Sequence, residues 1–180
     1  MELVQQYQSA LPIRQEIHET HAAAAEHWAS PGTWWTAEER VAIVAEVRRA
    51  WDADPMPPWT TPSSVSGLIP ADHILPSAAI DVIWRLTNHV TTLTQSWYES
   101  YVPERLSPAR YVEIVGMVAQ ITLTDRFADG LALDRISLPP PGAAIIPRRV
   151  FRRAFRGAIG APRTWRLRVK ATAPPGEVPC

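Results

Sequence analysis

The chain has 180 residues, 46% of them hydrophobic and 20% charged, with eight tryptophans and a formal net charge of zero. That is enough apolar material for one substantial core, while a single cysteine, Cys180, excludes an intrachain disulfide, a cysteine zinc site and a vicinal dithiol. No apolar run reaches the roughly 18 residues that cross a bilayer, and "MELVQQYQSALPIRQE" lacks the basic and apolar regions of a signal peptide, so a cytoplasmic protein without membrane contact is expected.

The zero charge conceals two unlike pieces. Residues 1–147 carry nine arginines against 17 acidic residues, a balance of −8, and residues 148–180 carry nine basic residues against Glu177 alone, a balance of +8. Arginine supplies 17 of the 18 basic residues, a bias expected of a GC-rich bacterial genome.

In chain order, Leu3, Val4, Tyr7 and Leu11 mark a short amphipathic turn before Pro12. Ile13, Ile17, His21, Ala24 and Trp28 then keep one face of a helix that "SPGTWW" ends. Thr36 and Glu39 form the pattern T-x-x-E of a capping box and open a second helix, with Val41, Val44, Val47 or Arg48, and Trp51 on adjacent faces. From Asp52 to Pro70 the chain holds five prolines and reads as a long loop.

Pro76 suits the first turn of a third helix running to about Tyr101, with Ile80, Ile83, Trp84, Thr87, Val90, Thr94, Trp97 and Tyr101 inward. Ser107 and Pro108 open the last helix, which ends near Gly130 at a natural left-handed position. Val112, Ile114, Val115, Met117, Val118, Ile121 and Leu123 point in nearly all directions, predicting a helix surrounded by others. Beyond "LPPPG" the helical period is lost. The expected organisation is an all-α, multi-helix domain over 1–138 and a Pro/Arg-rich, irregular basic extension over 139–180.

The order "TWWTAEERVAIVAEVRRA", "LPSAAIDVIWRLTNHVTTLTQSWYES" and "YVEIVGMVAQITLTDRFADGLAL" resembles the alkylhydroperoxidase D-like, carboxymuconolactone decarboxylase superfamily over about Thr33 to Leu138. The resemblance implies an all-helical, homo-oligomeric protein. Peroxidase members use a C-x-x-C pair assisted by a glutamate and a histidine. In this chain the slot for that pair reads "WDADPMPPW", and the later family histidine, before Arg85, is Trp84. Dithiol peroxidase chemistry needs an attacking thiolate and a resolving thiol, so it is excluded here. No cofactor is expected.

Two readings of the remaining residues stay open. A small organic ligand could be bound among the tryptophans, with Trp84 filling the vacated active-site volume. Alternatively, a decarboxylase-like acid-base site could use Glu113 or Glu39 as base and His73 or His89 as acid, with Arg85 holding a substrate carboxylate. Glu113 sits amid an apolar helix where desolvation raises a carboxyl pKa, but it can equally be the partner of Arg85 or another arginine. Glu39 is already explained as a cap. His18 and His21 share a helical face, yet two ligands do not make a metal site.

The basic extension, with Phe151, Phe155 and Trp165 among its arginines, admits an arm for nucleic acid or acidic partners, a strap on the acidic core, or a frameshifted end. No groove-entering motif favours nucleic acid.

Overall fold

The computed structural model describes residues 7–9 and 12–142. The basic extension lies outside them beyond position 142, as does most of the N-terminal turn. Among the described residues the protein is all-α. Its five helices are α1 (Gln15–Trp28), α2 (Ala37–Asp52), α3 (Ser77–Asn88), α4 (Gln95–Arg105) and α5 (Pro108–Gly130), with 3-10 turns at Pro62–Ser64 and Val90–Thr92. None of these helices is long and apolar enough to cross a membrane.

The capping box forms as its spacing predicts. Glu39 N–H donates to Thr36 Oγ1 at 3.2 Å, and Thr36 N–H donates to Glu39 Oε2 at 2.8 Å, satisfying two donors that the first helical turn would leave open. The inward face of α2 is rotated from the one expected. Val44 and Val47 are buried, but Ile43 and Ala50 join them in place of Val41, and Arg40 and Glu46 are buried as well.

The single helix expected from Pro76 to Tyr101 is broken at His89. Arg85 Nη2 donates to Thr92 O at 3.2 Å and Thr92 Oγ1 to His89 O at 2.7 Å, which closes the 3-10 turn. Thr94 then caps α4, accepting from Trp97 N–H at 3.1 Å. β-Branched threonines with hydroxyls that bind nearby backbone favour such turns and caps over helix interior. Val90, expected inward, is exposed as a result.

α2, α3 and α5 pack around a common core, with α1 against α2 and α5, and α4 against α5. Trp28, Trp35, Ile43, Val47, Ile80, Ile83, Ile114 and Ile121 are fully buried there. The indole of Trp28 reaches Gln120 Oε1 at 3.2 Å and that of Trp35 reaches Arg110 O at 3.1 Å, so both large rings are buried with their N–H groups satisfied.

α5 begins and ends close to its predicted limits, with Ser107 capping Arg110 N–H at 3.2 Å. The left-handed residue after it is not Gly130 but Ala132, at φ 52°. Leu133 N–H then donates to Ala128 O at 2.9 Å, reversing the chain. The returning segment buries Ile136 and is pinned where Gly142 N–H meets Ala29 O at 2.7 Å. Arg135 clamps it from outside, bonding Asp52 through two contacts at 3.1 Å and Asp129 at 2.9 and 3.1 Å.

Candidate functional site

Glu113 lies on the second turn of α5 and faces the α1–α2 connection. One of its oxygens pairs with Arg40 and the other accepts Trp34 N–H at 3.0 Å. Arg40 is 3% exposed and also donates to His27 O at 3.1 Å. The ion pair foreseen for Glu113 therefore forms with Arg40, not Arg85, and ties the end of α1, its connection to α2, and both α2 and α5. Burial, then the Arg40 guanidinium, lowers the pKa of His27, and Glu113 partly offsets them. Glu39 remains at its cap, 3.8 Å from Arg110.

A buried cluster is centred instead on Glu46, in the middle of α2 and only 2% exposed. Its Oε1 accepts the indole N–H of Trp84 and Nη2 of Arg49 at 2.7 Å. Its Oε2 accepts Arg49 Nε and His73 Nε2, each at 3.1 Å. Leu75 N–H donates to His73 Nδ1 at 3.1 Å, so this nitrogen is bare and the proton of the neutral ring sits on Nε2, directed at Glu46. Arg49 also holds Leu68 O at 2.8 Å and lies over the Trp84 ring. All four acceptor positions of the carboxylate are taken.

A second buried acid, Asp81 on α3, accepts Ser63 N–H at 2.8 Å, Ser63 Oγ at 2.5 Å and Tyr101 Oη at 2.5 Å. Burial first and the bond to Asp81 next push the Tyr101 phenol well above its usual pKa. Asp125, fully buried on α5, is paired through both oxygens with Arg48 at 2.8 and 3.0 Å.

Two hollows adjoin these groups. The larger, about 350 Å³ and open to solvent, lies in the loop before α3, with Ser63, Ser66, Ile69, His73, Leu75 and Ser77 in its wall. Each of the two nearby acids touches that wall through one side chain, Glu46 through His73 and Asp81 through Ser63. The smaller, about 20 Å³, is sized for one water and lies between Asp81, Trp84, Arg85, Asn88, His89 and the loop. Neither hollow includes Glu113 or Glu39.

Arg85 Nη1 donates to Pro58 O at 2.5 Å and Nη2 to Thr92 O, while its guanidinium lies over Trp97. His89 Nε2–H donates to Met56 O at 2.7 Å, and Asn88 to Ala50 O at 3.0 Å. The C-terminal half of α3 thus holds the Pro-rich loop by its carbonyls. Among the described residues Arg85 Nε is buried without a partner, and the small cavity lies alongside.

No protein-family model, curated protein or solved structure matches the chain.

Of the residues singled out in the sequence, His73 and Trp84 come together on Glu46, and Arg85 and His89 meet at the small cavity beside Trp84. Glu113 and Glu39 stand apart from both. His18 and His21 meet Tyr7: its N–H donates to His18 Nδ1 at 3.1 Å and its hydroxyl bonds His21 Nδ1 at 2.8 Å. Among the described residues, no three His, Cys, Asp or Glu side chains are grouped to hold a metal. Glu46 escaped sequence reasoning because Glu46-x-x-Arg49 looks like a solvated helix pair. The available signal was Ile43, Val47 and Ala50, a seam that Glu46 shares at helical spacing.

Proposed function

We propose that the chain is a cofactor-free, non-redox relative of the alkylhydroperoxidase D-like, carboxymuconolactone decarboxylase proteins, binding a small polar organic molecule in the hollow beside His73. The ancestry rests on the order of the three quoted segments and on an all-helical fold. Trp84, at the position of the family histidine, is buried and bonded to Glu46. It fills space where a redox centre would need room for its reactants.

The observation that carries the binding reading is the hollow itself, about 350 Å³, whose wall is stiffened from behind by two buried acids through His73 and Ser63. That volume is at the lower end for small-molecule sites. Its serine hydroxyls and imidazole offer hydrogen bonds, and Ile69 and Leu75 offer apolar surface, a lining suited to a small hydroxylated or carboxylated compound.

Binding is favoured over acid-base catalysis by the state of the same groups. Glu46 has no acceptor position left for a substrate proton, and both nitrogens of His73 are engaged. Proton transfer would first have to break a bond that holds the loop.

Ligand-observed NMR with a set of small hydroxy acids, keto acids and sugars tests this reading, comparing the wild-type chain with Ser66→Trp, which fills the hollow from an exposed position. Compounds that bind the wild type should weaken by about tenfold or more, about 1.4 kcal/mol, in the variant. Absence of binding, or binding unchanged by Ser66→Trp, overturns it.

A further inference from the structure

His73 stands between the buried carboxylate of Glu46 and the large hollow. Its side chain is 17% exposed, with Nε2–H directed at Glu46 and Nδ1 accepting Leu75 N–H at 3.1 Å. Both His73 and Leu75 belong to the wall of the hollow. The bond between them exists only while Nδ1 carries no proton, because a bare ring nitrogen accepts and a protonated one donates.

A proton on Nδ1 therefore turns a closed pair into an open one. Two donors, Nδ1–H and Leu75 N–H, would then face one gap with no acceptor between them. An oxyanion supplies the acceptor, and a group with two oxygens suits two neighbouring donors. α3 begins two residues after Leu75, at Ser77 in the same wall, with no side-chain cap among the described residues and no acidic residue in its first turn. Its dipole adds to the preference for negative charge.

The charges behind the ring couple the anion to the proton. Glu46 is buried with Arg49 bonded to both of its oxygens, so that pair is balanced while His73 is neutral. A proton on His73 leaves one positive charge in excess, which is costly beside a buried cluster unless an anion arrives. An anion entering beside neutral His73 meets a lone pair instead of a donor. Of the other charged groups in the surrounding elements, exposed Asp72 next in the loop and Asp81, behind Ser63 on α3, favour a charged ring. Arg49 opposes it, and Arg85 on α3 is turned to the carbonyls of Pro58 and Thr92.

We infer that the hollow takes up an oxyanion together with a proton, which passes from solvent to Nδ1 of His73 as the bond to Leu75 opens. No covalent bond to the ligand is made. The inference rests on the hollow being the ligand site and adds its regulation: the affinity for an anion rises as pH falls, and by reciprocity the anion draws the proton in.

Calorimetric titration of the full chain with lactate, in Tris and in HEPES at about pH 7.5, tests it. The difference in binding enthalpy between the buffers should report uptake of a proton, and affinity should fall towards the limit of about tenfold per pH unit above that pH. Lactamide, nearly the same shape but neutral, should bind more weakly and without proton uptake. His73→Gln should make lactate affinity independent of pH. Should that variant fail to fold, nitrogen NMR of the wild-type imidazole decides, since lactate should move Nδ1 from its bare to its protonated signal. Lactate bound in the hollow, and lost in Ser66→Trp, but without proton uptake or with uptake surviving His73→Gln, overturns this inference and leaves the hollow as a site. So does binding of neutral sugars but not lactate. Failure of every compound to bind, or binding indifferent to Ser66→Trp, overturns both.

Discussion

The indole of Trp84 donates to the carboxylate of Glu46, and both side chains are shut away from solvent at 3% and 2% exposure. A buried acid in that position depends on its donors. Trp84→Phe keeps an aromatic ring but withdraws one of them, and should cost about 1.5–3 kcal/mol in urea denaturation. Glu46→Ala, which strands Arg49, His73 and the Trp84 N–H together, should cost more, about 3–5 kcal/mol. Equal and negligible effects would remove the cluster from the list of structural supports.

Gly32 is close to the Arg40–Glu113 pair. An added Cβ would stand 1.7 Å from Glu113 Oε1 and 2.6 Å from Arg40 Nη1. Gly32→Ala should therefore dislodge the pair and lower stability by about 3 kcal/mol. Its cost should shrink markedly when measured in a Glu113→Ala background, because the displaced carboxylate is no longer there. A double-mutant cycle reads the difference directly.

Ala132 has the left-handed backbone that favours glycine. At φ 52° it carries a Cβ that crowds the carbonyl beside it. Ala132→Gly should raise unfolding stability by about 1 kcal/mol, visible as a higher urea midpoint with an unchanged slope.

Acid should loosen the packing of α1. The pKa of His21 is lowered from the ordinary 6.5, chiefly by burial and next by His18, with Asp125 acting the other way; His27 is lowered by burial and Arg40. A depressed histidine pKa means that the unfolded chain takes up protons first, so stability is lost as pH falls below about 6.5. Thermal melts between pH 7.5 and pH 5 should show the decline, and a His21→Gln, His27→Gln double variant should flatten it.

The buried Nε of Arg85 and the cavity next to it define a site for one ordered water. A high-resolution crystal structure should show it bonded to Arg85. Arg85→Met should free the carbonyls of Pro58 and Thr92 and speed proteolysis within residues 53–76 several-fold.

Local rules wrote two of the helix starts legibly. Thr36 with Glu39 and Ser107 with Pro108 act through neighbours in sequence, and each forms as read. The ion pair of Glu113 was foreseeable in kind, since an acid on so apolar a helix needs a cation, but its choice of Arg40 depends on how α2 crosses α5. The break at His89 was hidden because the apolar spacing continues through Val90 and Trp97, while the threonine hydroxyls that favour it act on backbone. Glu46 was hidden for a similar reason: its cation is three residues away, and its histidine and tryptophan come from distant parts of the chain.

Apart from Ser63 and His73, the loop before α3 is fastened through groups that carry no identity. Arg85, His89 and Arg49 grip the carbonyl oxygens of Pro58, Met56 and Leu68, and every amino acid, proline included, supplies such an oxygen. Substitutions along the rim of the hollow other than at Ser63 and His73 can thus change its lining while leaving the fastenings intact, whereas a deletion would move the oxygens out of reach. The architecture tolerates new wording there but not a new length, which makes this rim the part of the protein best placed to acquire a different ligand.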